Sequence, residues 1–247
     1  MTWKAAAGAL RGPGTSPEAA RLSRALVIAA AAIAVAGPAR GDGAPKDAAG
    51  KAAGPSYDAA LDNEIEAMVA VDQRVRQTPS TELTNGDREA MRRVDALHEA
   101  RMREIVATHG WPGRSLVGRD GAQGAWLIVQ HCSREFEEAC LPLLERAVAQ
   151  GEASAVNYAY LLDRVRMYEG RPQVYGTQFM GNSLYPIEDQ AHVDDRRRTV
   201  GLMPEAEYEA MVRKINKMPD RRPGLPTAAV TPAAGTPGAP PPGPVRP

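Results

Sequence analysis

Histidine and cysteine are the side chains that exchange protons or bind soft metals near neutral pH, and this 247-residue chain holds four of one and two of the other. His131 closes the run AWLIVQH, the most apolar stretch of the central chain. It falls one turn after Leu127, so a helix there carries it inward. Burial lowers an imidazole pKa and suits it to general-base work, while the structural alternative is a core histidine bonded to a carboxylate or a carbonyl. His98 and His109 fall on a charged helix and at its end, and His192 starts a solvated one. Asp163 and Arg164 sit mid-helix in LLDRVR. An acid buried there needs a partner, which Arg, Tyr or His can supply, and an internal ion pair between helices is the plainer outcome. Polar residues are densest from Arg171 to Asp189, where Gln173, Tyr175, Thr177, Gln178, Glu188 and Asp189 fall close together. Strand alternation puts Gln173, Tyr175 and Thr177 on one face and Val174, Gly176 and Gln178 on the other. Such a flap either lines a small-molecule cleft or latches itself to the helices.

Cys132 and Cys140 are eight residues apart, about 12 Å along one helix, beyond the ~7 Å that a disulfide spans. Two buried thiols are expected. His131 and Cys132 lack two further ligands at helical spacing, so neither a metal nor a cofactor is expected. There is no GxxxxGK[ST], HExxH, GxSxG, EF-hand loop or CxxC. Gly118, Gly121 and Gly124 form a GxxGxxG that follows no strand and reads as a turn into a helix.

The elements that must hold these residues are mostly helical. Leu61, Ile65, Met68 and Val75 make one stripe from Tyr57 to Gln77. Asp87 is the expected N-cap of a second helix, which Gly110-Trp111-Pro112-Gly113 stops. Asp120 opens a third, buried helix, Gly121 to Cys132, with Gln123 completing a capping pair. Ser133 caps a fourth, with Phe136, Cys140, Leu143, Leu144 and Ala147 inward, Pro142 as a kink or a restart and Gly151 as the stop. Ser154 caps a fifth, ended by Gly170-Arg171-Pro172. Gln173 to Met180, the turn Gly181-Asn182 and Ser183 to Tyr185 read as a hairpin. Val193 to Val200 and Pro204 to Lys217 are two closing helices. The fold class is mainly α, six to seven helices with one small β-hairpin flap.

The two ends differ from this core. Arg21 and Arg24 precede a 13-residue apolar run, Ala25 to Gly37, followed by small residues. That length fits an export signal and is short for a membrane span, so residues 1–39 are read as a signal and no span is expected after its removal. Residues 40–56 are a small, polar linker, and residues 219–247 carry ten of the 21 prolines and are expected to be disordered. The helical domain is then 57–218. It holds 20 Lys and Arg against 26 Asp and Glu, a net charge of −6 within a neutral chain. An acidic domain argues against binding nucleic acid.

Several segments together resemble a bacterial family of uncharacterised domains, a domain of unknown function. They are Trp111-Pro112, Ala122 to His131, Asp163-Arg164, Gly170 to Gln173, Tyr175 to Gln178 and Pro186 to Asp189 with Val193, Asp194 and Arg196. The resemblance implies a helical domain whose polar motif positions are His131, Asp163, Arg164, Gln173, Tyr175, Thr177 and Gln178. It implies no activity. The expected function is an exported, periplasmic or secreted, binding or interaction module for a small molecule or an envelope protein. The alternative is an enzyme in which His131 is the base or acid, Asp163 orients it, and Tyr175 and Gln178 position the substrate. That alternative requires the three side chains to converge at one pocket.

Overall fold

A computed structural model describes residues 57–78 and 82–219. The expected signal, linker and C-terminal tail lie outside the described residues. Within them the chain forms seven α-helices: α1 (Ala59–Val75), α2 (Asn85–His109), α3 (Arg114–Val129), α4 (Arg134–Ala149), α5 (Ala155–Tyr168), α6 (Val193–Val200) and α7 (Glu205–Ile215). One antiparallel pair, β1 (Phe179–Met180) and β2 (Ser183–Leu184), joins at the Gly181-Asn182 turn. The mainly α class with a small hairpin therefore holds. Among the described residues no helix is long and apolar enough to cross a membrane.

The five long helices share one core. Leu61, Ile65 and Met68 of α1 meet Met102 and Ile105 of α2, Ala125, Ile128 and Val129 of α3, Phe136, Cys140 and Leu144 of α4, and Leu161 and Val165 of α5. Trp111 is buried just past the Gly110 cap, as a hydrophobic residue after a glycine stop should be. A smaller cluster, Phe179, Tyr208 and Val212 with Tyr160 and Leu184 against it, joins the hairpin to α7.

Four local expectations change. Thr84, not Asp87, is the N-cap of α2; its hydroxyl accepts from Asp87 N–H while the Asp87 carboxylate accepts from Thr84 N–H at 2.8 Å. α3 starts earlier, at Arg114, and breaks at Val117 and Gly118, where Gly118 takes φ +69°. Pro142 lies inside one continuous helix, α4, so the helix does not restart there. The segment before β1 is a loop rather than a strand. Gln173, Gly176, Thr177 and Gln178 are all buried, so alternation fails there.

The GxxGxxG lies along the α1 side of α3. A Cβ on Gly124 would sit 2.9 Å from Val69 Cγ2 and 3.0 Å from Ile65 Cγ2, and one on Gly121 would sit 2.3 Å from Asp62 Oδ1. The motif is where two helices approach each other closely.

Candidate functional site

Six of the seven candidate side chains fall into two groups, one just past the end of α3 and one made by α5 and the loop that follows it. The first centres on His131, just past the end of α3. Its Nδ1 lies 2.9 Å from Oδ1 of Asp72, which is fully buried near the end of α1. The same Oδ1 lies 2.7 Å from Arg76 Nη1, and Gln73 Nε2 donates to Oδ2 at 2.8 Å. Burial alone would raise the Asp72 carboxyl; the hydrogen bond and charge of His131, the charge of Arg76 and the Gln73 bond outweigh it and hold the carboxyl below its usual range. Arg76 also pairs with Asp95 of α2. His98 stands beside this cluster, buried, with its Nδ1 unpartnered. Burial pulls the His98 pKa down, against the charges of Asp72 and Asp95.

The second group centres on Asp163. Its carboxylate, fully buried, accepts from four groups of one short loop: Val174 N–H at 2.7 Å, Tyr175 N–H at 3.0 Å, Thr177 N–H at 3.0 Å and the Thr177 hydroxyl at 2.9 Å. Burial pushes this carboxyl up, and the four donors pull the other way. Gln173 closes the loop on itself, accepting from Gln178 N–H at 2.8 Å and donating to the Tyr185 carbonyl at 2.6 Å. The Gln178 amide donates to the Thr177 hydroxyl at 3.0 Å. Arg197, fully buried in α6, donates to the Tyr175 and Met203 carbonyls from beneath, and the Tyr208 hydroxyl donates to the Thr177 carbonyl at 2.8 Å. Gly176 has φ +69°, and a Cβ there would meet Ile187 Cδ1 at 2.6 Å. The close approach that its lack of a side chain permits is made by Ile187.

Arg164 points the other way from Asp163, one helical position on. Its Nη1 donates to the Gln130 carbonyl at 2.6 Å, capping the open end of α3, and lies 3.4 Å from Glu137 Oε1. The structure thus sets His131 with Asp72, and Asp163 with the loop that carries Tyr175. No hydrogen bond joins the two centres among the described residues. Tyr175 is half-buried, beside Tyr158 and Arg196, and its hydroxyl makes no hydrogen bond with a described residue. Each of the other six candidate side chains makes at least one.

The other expected polar positions are surface pairs: Glu188 with Arg166, and Asp189 with His192 at 2.8 Å. Cys132 and Cys140 are free thiols, half-buried and buried. Among the described residues no group of three His, Cys, Asp or Glu side chains could hold a metal ion.

A family profile described as a family of unknown function, DUF6624, matches residues 59–218. The chain belongs to that family. The match spans the seven helices and the hairpin, so the DUF6624 domain and the folded unit coincide. No curated protein and no solved structure matches the chain.

Asp72, Glu137 and Arg197 escaped the sequence reading. Each had a readable signal, because each falls on a buried stripe. Asp72 continues Leu61, Ile65 and Met68; Glu137 precedes Cys140 and Leu144; Arg197 follows Val193 by one turn. A charge on an apolar stripe marks a buried pair or a site.

Proposed function

We propose that this DUF6624 domain is an exported helical binding module with Tyr175 at its recognition centre. The observation that supports it is the contrast within one loop. Asp163, Gln173, Thr177 and Gln178 use their polar atoms internally, whereas Tyr175 keeps its hydroxyl free on a backbone fixed by Asp163 and Arg197. A phenol held on a rigid loop offers contact area and one hydrogen bond at little entropic cost, which is why tyrosine is enriched where proteins meet partners. Tyr158, whose hydroxyl donates to Glu145 at 3.2 Å, stands near Tyr175, and Arg196 places a positive charge nearby. The ligand is an envelope protein or a small molecule of that compartment.

The catalytic alternative asks for His131, Asp163 and Tyr175 in one pocket. It draws no support from hydrogen bonding, since His131 is oriented by Asp72.

A photo-reactive benzoylphenylalanine at position 175, in the producing cell, tests the proposal. It should yield a discrete adduct, while the same residue at exposed Leu97 yields none. A folded protein giving no adduct at 175, or the same adducts at 97, would overturn it.

A further inference from the structure

The His131 centre has features that a purely structural histidine does not need. An ionised carboxylate at Nδ1 can only accept, so Nδ1 carries a proton, and in the neutral ring Nε2 is the nitrogen with the lone pair. That Nε2 has no partner among the described residues, and 12% of the side chain remains exposed. Asp72, pinned by Arg76 and Gln73, fixes the plane and tautomer of the ring from behind, as carboxylates do for working imidazoles.

The surroundings limit the chemistry. Asp72 and Asp95 outnumber Arg76, and the nearby Glu99 is engaged by Arg103 and Ser133, so the centre has no surplus positive charge for a phosphate. Its two neighbouring nucleophiles are engaged. The Cys132 thiol donates to the Ile128 carbonyl and burial pushes its pKa far up, while the Ser133 hydroxyl is bound to Glu99 at 2.8 Å. Water is left as the nucleophile.

We propose that this junction of α1, α2 and α3 is an acid–base centre, in which His131 Nε2 is the general base for hydrolysis of uncharged carboxylic esters and Asp72 is its positioning residue. Water's oxygen bonds to the carbonyl carbon as its proton passes to Nε2. The tetrahedral adduct then expels the alkoxide or phenolate, which takes that proton. Ester and water give acid and alcohol, and His131 returns neutral. The inference stands independently of the binding role of Tyr175.

The full chain is assayed with p-nitrophenyl acetate. Nitrophenol release should exceed that of free imidazole at the same concentration by roughly tenfold or more. His131→Gln should lower it at least about tenfold. Asp72→Asn should lower the rate, because the amide no longer fixes the ring plane and tautomer, while leaving His131 in place. His192→Gln, which alters an exposed imidazole, should change nothing. p-Nitrophenyl phosphate should stay intact. A wild-type rate no faster than imidazole, or an undiminished rate in His131→Gln, would overturn the proposal. Should either centre variant fail to fold, the ring nitrogen shifts of the wild-type protein decide: a proton on Nδ1 supports the centre, and one on Nε2 overturns it.

Discussion

Asp163 and Glu137 are both buried acids, yet their oxygens meet different company. Asp163 receives four N–H and O–H donors, the arrangement of a carboxylate that organises a loop. Glu137 has Arg164 at 3.4 Å, and its Oε2 has no partner; the Tyr168 hydroxyl approaches without reaching bonding geometry. Burial pushes the Glu137 carboxyl from 4.5 to about 7, against the pull of Arg164. The folded state therefore holds this proton more tightly than the unfolded state does. Its contribution to stability is complete below the unfolded value and is lost as pH rises through about 7. Glu137→Gln carries no such proton. The difference in melting temperature, variant minus wild type, should grow between pH 5 and about pH 7 and level off above it; a flat difference throughout would contradict the assignment. Asp72 has the opposite sign. Its lowered carboxyl supports the fold above the ordinary carboxylate range and loses that support as acid protonates it.

At the scale of elements, the glycine stripe sets the spacing of α1 and α3. Gly124→Ala adds helix propensity of about 1 kcal/mol but drives a methyl into Val69 and Ile65. Overpacking of this kind costs about 1–3 kcal/mol, so the net effect should be a loss, read as a lower midpoint in thermal or urea unfolding. An unchanged midpoint would mean that the helices part easily there. Most helices were legible because their stops are local chemistry: Gly110, Gly151 and Gly170 all take positive φ at helix ends. The 173–178 segment was misread for a non-local reason. In a strand, successive N–H groups point to opposite sides, so Val174 and Tyr175 cannot both donate to one carboxylate. Asp163, eleven residues earlier on α5, draws them to one point and overrides the alternation. His131 was legible as an inward-facing histidine, but Asp72, 59 residues away in sequence, was not legible as its partner. Pairing across helices needs the packing, and one sequence gives only the faces.

For the whole molecule, the family match and the folded unit share their bounds, and both hydrophobic clusters lie inside them. Residues 57–218 expressed alone should therefore unfold cooperatively within about 2 °C of the full chain by calorimetry. A markedly lower midpoint would mean that a flanking segment contributes to the core. The net charge of −6 on those residues should keep the fragment monodisperse at neutral pH. Seen across the molecule, α5 is the element that links the two polar centres: Asp163 fixes the recognition loop, and Arg164 caps the end of the helix that delivers His131.

The most direct test compares Asp163→Asn with Tyr175→Phe in thermal unfolding. Asn offers its loop a donor where the backbone N–H groups need an acceptor, so Asp163→Asn should lose about 2–4 kcal/mol, roughly 5–15 °C for a domain of this size. Tyr175→Phe removes a hydroxyl that nothing in the described fold uses and should stay within about 0.5 kcal/mol of wild type. A neutral Asp163→Asn, or a Tyr175→Phe as damaging as it, would contradict the division between a carboxylate that builds the loop and a phenol that the loop presents.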